Sequence, residues 1–273
     1  MLKLVSWNMA HRAELWRALS DKWDAALLQE ACEPPAAISK AVDVGDGPWL
    51  TNGIKKRRWR TAVVGLNPRV GVDRIPALSL SEAGDGDFGV TRLGTLAAAN
   101  VEGPDTHKIY TLISMYALWE KPHHSTGSNW IFADASAHRL ASDIPCLVGQ
   151  EKGHRMIVAG DLNILNGYGE YGSQYWRARY NGVFDRFKAI GLNFVGPKYP
   201  NGRQANPWPS ELPVESLNVP TYYTNRQSPL TATRQLDFVF ASSDISDHIQ
   251  VTALNYGEEW GGSDHCRIQI DID

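Results

Sequence analysis

Cysteine is scarce in this chain, and its placement suits no chemistry. Cys32, Cys146 and Cys266 are odd in number and far apart, and none belongs to a CxxC pair. Neither a disulfide scaffold nor a thiolate metal or redox site is expected, and reduced thiols follow. Long apolar runs are missing too. The best one, residues 109–118, is interrupted by Thr111 and Ser114 and falls short of the roughly 20 consecutive apolar residues of a membrane span. The first residues offer a single Lys3 before Leu4, Val5, Ser6 and Trp7, without the longer apolar region and small-residue cleavage site of a secretory signal. A cytoplasmic location is the expectation. Charge of one sign is not in excess either: Lys plus Arg number 27 against Asp plus Glu 30, a net charge of −3. That balance excludes a protein that grips nucleic acid through overall positive charge but leaves a local basic patch open.

What is present is an ordinary globular composition. With 43% hydrophobic and 21% charged residues the chain can bury a full core, so disorder is excluded. No repeat, linker or low-complexity tract divides residues 1–273, which read as a single domain.

The chain alternates short apolar runs with amphipathic stretches. Residues 1–8 form a strand ending in Asn8; residues 12–22 place Leu15, Trp16 and Leu19 on one helical face; residues 24–30 form a second strand ending in Gln29 and Glu30. Strands joined by a helix run parallel and side by side, so Asn8 and Glu30 should emerge together at one sheet edge. Further strands are expected at residues 61–66, 90–101, 108–117, 156–159, 236–240, 251–256 and 267–272, with helices at 130–147 and 175–190. Residues 191–220, rich in Pro, Asn and Gly, read as a long surface loop.

Polar endings on apolar strands recur five times: Trp7-Asn8, Gln29-Glu30, Gly160-Asp161-Leu162-Asn163, Leu236-Asp237-Phe238 and Ser263-Asp264-His265. Taken singly, each has a bland reading. Asn8 or Glu30 could be a surface group, Asp161 could cap the following turn, and Asp237 could pair with Arg234. In this order, over residues 7–265, they resemble the endonuclease/exonuclease/phosphatase superfamily, the DNase I-like metal-dependent phosphodiesterases.

The resemblance implies an α/β fold, a four-layered α/β/β/α sandwich of two mixed sheets with the site at one edge. It implies that Glu30 is the principal metal carboxylate, with Asn8 beside it and Asp264 nearby. Asp161 and Asn163 would position and activate the attacking water. His265, oriented by Asp237, would contact the scissile phosphate, and Tyr116 resembles the tyrosine that some members place against that phosphate, although a tyrosine ending a core strand also simply packs. Carboxylate and amide oxygens without a cysteine or multi-histidine cluster suit Mg2+ (or Mn2+) better than zinc. A transition state that gathers charge on phosphate oxygens calls for such cations and for hydrogen-bond donors.

Two departures limit the substrate. Ala10 stands where abasic-site endonucleases of this superfamily carry a second acidic residue, and Ser114, Met115, Ala117 and Leu118 surround Tyr116 in place of the usual Asn and Pro. The secreted DNase I type is also a poor match, lacking here its signal, its disulfides and a histidine at position 116. His123 and His124 read as an exposed loop, and His11, His107, His138, His154 and His248 match no motif. Lys55, Lys56, Arg57, Arg58 and Arg60, with Trp59 among them, could track a nucleic-acid backbone while the indole stacks on a base, or could be a solvated face. The expectation is therefore a Mg2+-dependent phosphodiesterase acting on nucleic acid or another phosphodiester, with a nuclease first. A phosphatase or a phospholipid or inositol phosphodiesterase is the alternative, and a catalytically dead binding module, with no site group lost, ranks last. No obligate protein partner is implied.

Overall fold

The computed structural model describes residues 1–51, 57–104, 107–122, 124–127, 132–150, 154–224 and 226–273. Lys55, Lys56 and His123 lie outside the described residues. Two sheets form the body of the protein. The first contains β1 (Leu2–Asn8), β2 (Ala25–Ala31), β3 (Arg60–Gly65), β12 (Ile249–Leu254) and β13 (Arg267–Ile272), in the order β12-β13-β1-β2-β3. The second contains β4 (Val72–Ile75), β7 (Leu96–Glu102), β8 (Ile109–Tyr116), β9 (Met156–Asp161), β10 (Leu192–Gly196) and β11 (Asp237–Ser242), in the order β10-β11-β9-β8-β7-β4. Both are mixed: β1 runs parallel to β2 and β8 parallel to β9, while the remaining pairs are antiparallel. A separate two-stranded ribbon joins β5 (Ala77–Ser79) to β6 (Phe88–Val90).

Side-chain alternation along the strands builds the layers. Leu2, Leu4, Ala25, Leu27 and Val63 meet Ala99, Val101, Leu112, Ile157, Ala159, Val239 and Ala241 in the seam between the sheets. A single turn of helix, α1 (Ala36–Ser39), follows β2, and the opposite face of the second sheet packs Ile113, Met115, Val158, Phe238 and Phe240 against α2 (Ala133–Asp143), α3 (Pro145–Val148) and α4 (Gln174–Ala189). The outer face of the first sheet, with Val5, Trp7, Leu28 and Val64, is covered by Leu15, Trp16 and Trp23.

That last layer differs from the expected helix at residues 12–22. It is a six-residue 310 turn, Ala13–Ala18, entered from Arg12 without a side-chain cap and left through an extended Leu19, followed by loop. The expected single strand at 90–101 is broken after Val90 by a turn containing Gly94, whose φ is +87°. Residues 191–220 are not all loop, because Leu192–Gly196 pairs antiparallel with β11 and extends the sheet.

Candidate active site

The seam changes chemistry as it approaches one edge. On β1 the inward row reads Leu2, Leu4, Ser6, Asn8; on β2, Ala25, Leu27, Gln29; on β8, Tyr110, Leu112, Ser114, Tyr116; on β9, Ile157, Ala159, Asp161. Asp237 opens β11 opposite Asp161 in register. A first polar rung locks the two sheets together: the buried Gln29 Nε2 donates to Ser6 Oγ at 3.3 Å and, across the seam, to Ser114 Oγ at 3.0 Å. Ser114 Oγ in turn donates to the Leu28 carbonyl at 2.7 Å. The next rung is the site.

Glu30 reaches it through a β-bulge. Strict alternation would send Glu30 outward with Ala26 and Leu28, but the β2–β3 register slips between Leu28 and Ala31, so β2 carries one extra residue. Glu30 takes φ +49°, and Ala31 occupies the outward position instead. Non-glycine residues with positive φ are uncommon, and here Ala10, His11, Glu30 and Asn163 all adopt it around the site, where such strain tends to be stored.

Asp161 is held by three donors. Asn8 Nδ2 donates to Oδ2 at 3.1 Å, Asn163 Nδ2 to the same oxygen at 3.2 Å, and the Asn163 backbone N–H to Oδ1 at 2.8 Å. Asn163 is itself fixed by donating to the Ala117 carbonyl at 2.9 Å. His265 Nδ1 lies 2.8 Å from Asp237 Oδ2, leaving Nε2 as the open end of the ring, 3.8 Å from Asp161 Oδ2. The loop carrying His265 is pinned to β1, since Trp7 Nε1 donates to the His265 carbonyl and Ser263 Oγ to the Asn8 carbonyl. Arg234 pairs with Glu170 at 3.0 Å, so the bland alternative for Asp237 does not hold.

Burial sets the electrostatics. It disfavours the charged ring of His265, but Asp237 and Asp161, with Asp264 adding, outweigh it and carry the pKa to about 10, so the ring is an imidazolium at neutral pH. Burial pushes Asp161 up to about 8, against the pull of His265 and with Asp237 and Glu30 adding to the rise. Burial also works against the Glu30 charge. The hydrogen bond and charge of His11, and then the Tyr116 hydroxyl, overcome that and hold the Glu30 carboxyl below its ordinary value.

The structure brings Asn8, Glu30, Tyr116, Asp161, Asn163, Asp237 and His265 to one edge, with Asp264 beside His265. It adds His11, whose Nε2 lies 2.5 Å from Glu30 Oε2, and Tyr222, whose ring centroid is 4.9 Å from that of His265. Tyr222 carried no motif; its signal is only that residue 222 forms a bridge with residue 265.

The basic segment divides. Arg57 and Arg58 are exposed, and Arg57 sits over the Trp59 ring at 5.4 Å. Trp59 is 4% exposed, stacked on His11 at 5.1 Å and meeting Tyr116 edge-on at 5.0 Å. Its expected role as a base-stacking platform is therefore corrected: the indole is the wall behind Glu30. Arg60 also leaves the site, since alternation on β3 turns it to the other side, where it stacks on Trp49 at 4.3 Å and donates to the Asp46 carbonyl. Trp119, three residues beyond Tyr116 in the sequence, is an exposed indole, 54% accessible.

The donor set suits a hard divalent cation. Among the described residues no group of three His, Cys, Asp or Glu side chains is placed to hold a metal ion by itself. Glu30 and Asp264 supply carboxylate oxygens, while the Asn8 side-chain oxygen already accepts from the Ala10 N–H at 2.9 Å. One or two carboxylates, completed by water and substrate phosphate, is how Mg2+ is ordinarily bound, and the residues fit that mode.

No family model matches the chain, and no curated protein matches it. Solved structures do. The endonuclease domain of TRAS1, a telomere-specific non-LTR retrotransposon, matches with 18% identity over 99% of this chain and 97% of its own, at TM-score 0.61. An AP endonuclease from Archaeoglobus fulgidus matches at 15% identity and TM-score 0.62 over the full length of both chains. The 3' phosphatase NExo from Neisseria, bound to product DNA hairpin, matches at 14% identity and TM-score 0.58, again over both full lengths. All three share this fold from end to end.

Proposed function

We propose that this chain, which has the DNase I-like fold of the endonuclease/exonuclease/phosphatase superfamily, is a divalent-cation-dependent phosphodiesterase that hydrolyses nucleic acid. One observation carries the reading. The seam ends in a buried imidazolium, His265, clamped by Asp237 and facing a donor-held Asp161, with Glu30 delivered to the same edge by a bulge. A purely structural site has no need of a bulge that strains its own carboxylate into place.

In this reading the phosphate seats with a nonbridging oxygen on His265 Nε2, which Asp237 keeps charged and aimed. The positive charge meets the negative charge that grows on the phosphoryl oxygens, the largest class of stabilisation in such reactions. Asp161 orients the attacking water and accepts its proton. It does so in its ionised form, which the N–H donors of Asn8 and Asn163 favour and whose oxygens they fix in direction. Tyr116 donates from the neighbouring strand. Glu30, with Asp264, would hold Mg2+ or Mn2+, which when bound neutralises phosphate charge and lowers the pKa of coordinated water.

Nucleic acid is favoured among phosphodiesters because the neighbours named above include two endonucleases and an enzyme bound to a DNA hairpin, and because Arg57, over the Trp59 ring, is exposed, as are Arg58 and Trp119, which adjoin Trp59 and follow Tyr116 in the sequence. The test is a panel of single-stranded and duplex DNA, RNA, inositol phosphates and sphingomyelin, each with Mg2+, with Mn2+ and with excess chelator. Oligonucleotide cleavage that disappears with chelator and returns with cation is expected. Turnover undiminished by chelator overturns the cation, and preference for a small ester or lipid overturns the polymer.

A further inference from the structure

His11 had no motif to recommend it, yet its surroundings are built. It follows Asn8 by three residues, at the end of the turn in which Ala10 and His11 both take positive φ, +48° and +58°. The His11 N–H donates to the Glu30 carbonyl at 3.2 Å, and the Cys32 thiol donates to the His11 carbonyl at 3.2 Å. The backbone of His11 is thus tied on both sides to the bulge that carries Glu30. The imidazole then lies flat on the buried Trp59 indole, the planes inclined by 16°, and places Nε2 2.5 Å from Glu30 Oε2. Trp59 is braced edge-on by Tyr116, whose side chain also helps to hold the Glu30 carboxyl below its ordinary value.

The chemistry of this arrangement is one-sided. The imidazole Nε2 occupies Oε2 of Glu30, so a cation at this carboxylate is left the other oxygen. The ring is held by stacking, so the carboxylate it grips cannot rotate freely about its terminal torsion. An extended residue at position 11, or a missing Trp59, would release both.

We propose that His11, seated on Trp59, is a positioning residue that orients Glu30 for the divalent cation. This rests on the reading of Glu30 as the cation's carboxylate. Outer partners of ligating carboxylates typically govern about 10- to 100-fold in metal affinity.

The experiment is Mn2+ binding to the full-length protein, followed by the electron paramagnetic resonance signal of free Mn2+, on the wild type, His11→Ala, His11→Gln, Trp59→Leu and Glu30→Gln, each also melted by circular dichroism. His11→Ala and Trp59→Leu should weaken Mn2+ by about 10-fold or more. His11→Gln, which retains an N–H donor, should recover most of the loss. His11 is 46% exposed, so His11→Ala should keep its fold; if it does not, the comparison of His11→Gln with Trp59→Leu carries the test. Unchanged or tighter Mn2+ binding in His11→Ala, while Glu30→Gln loses it, overturns the positioning role and leaves the cation reading standing. Glu30→Gln binding as well as the wild type overturns the reading on which the proposal rests.

Discussion

Replacing Gly160 by alanine is a sharp test of how the site is assembled. Gly160 precedes Asp161 on β9 and pairs with Met115, while Tyr116 pairs with Asp161. Its φ is +153°, and an added Cβ would sit 1.9 Å from the Met115 carbonyl oxygen. Ordinary contact needs more than an ångström beyond that, and both atoms belong to backbone, so β8 and β9 must separate where they deliver Tyr116 and Asp161. The unfavourable φ costs about 1 to 3 kcal/mol. Two weakened ladder hydrogen bonds add about 1 kcal/mol each, for a total of roughly 3 to 5 kcal/mol. In a chain of this size that lowers the melting temperature by roughly 10 °C. The displaced Asp161 should also lower kcat on a minimal phosphodiester by about 100-fold, as for an ångström-scale misplacement.

The control is Gly191→Ala, where φ is +87° and nothing lies within 4 Å of the added carbon. It shares the conformational cost without the collision, and it lies at the far end of α4. Urea unfolding and hydrolysis of a bis-nitrophenyl phosphate ester, measured on both variants, separate the two effects. If Gly160→Ala loses no more stability and no more activity than Gly191→Ala, the close approach of the two strands does not hold the site and the reasoning fails.

Other expectations follow from single contacts. His265→Ala and Asp237→Asn should each lower kcat by about 10² to 10⁴-fold with the fold retained by circular dichroism; a folded variant with normal turnover removes that residue from the mechanism. Arg57→Ala with Arg58→Ala should raise KM for an oligonucleotide and flatten its dependence on salt by roughly 0.7 to 0.9 log units per lost phosphate contact, leaving a minimal ester untouched; equal effects on both substrates refute a role in holding the polymer. Trp119→Ala should weaken single-stranded binding by about 1 to 3 kcal/mol, and duplex binding much less, in fluorescence anisotropy titrations; no difference between the strands would show that this indole stacks on nothing. Asp24, 1% exposed, accepts from Arg69 and from the Lys3 N–H. Truncating it to alanine takes one acceptor from the exposed Arg69 guanidinium and from the Lys3 N–H and should cost about 1 to 3 kcal/mol in urea unfolding, and a loss below about 1 kcal/mol would mean that water replaces the carboxylate freely.

Much of the candidate site was legible because it is written locally. Each of Asn8, Glu30, Asp161, Asp237 and His265 adjoins an apolar strand, and a change from apolar to polar at a strand end needs no knowledge of the partner strand. The parallel pairing of β1 with β2, which puts Asn8 opposite Gln29, was equally readable from the intervening segment. What escaped depends on register. Trp59 and Arg60 are consecutive, and which of them turns to the site is decided by how β3 pairs across the bulge, so a basic-aromatic run looked like one surface when it is two. His11 meets Glu30 only because that bulge exists. Strand β10 was hidden because five residues, bounded by Gly191 and Pro197, are too short to announce a period. The strands β4 and β5 are only half-buried, β4 mixes charged with apolar residues and β5 has three residues, which blurs the alternation that identified the others.

The extra residue in β2 also bears on how this protein could drift. Removing position 30 altogether would bring Ala31 directly after Gln29, restore the alternation of Ala26 and Leu28, and close the ladder against Arg60 and Ala62 without a residue held at positive φ. The shortened chain would be the more regular one. A library screened only for solubility or heat resistance should therefore enrich that deletion, while a screen for cleavage should eliminate it. The two selections pull in opposite directions at a single codon, which makes the length of this strand, more than the identity of any residue in it, the signature by which an active descendant could be told from a fossil.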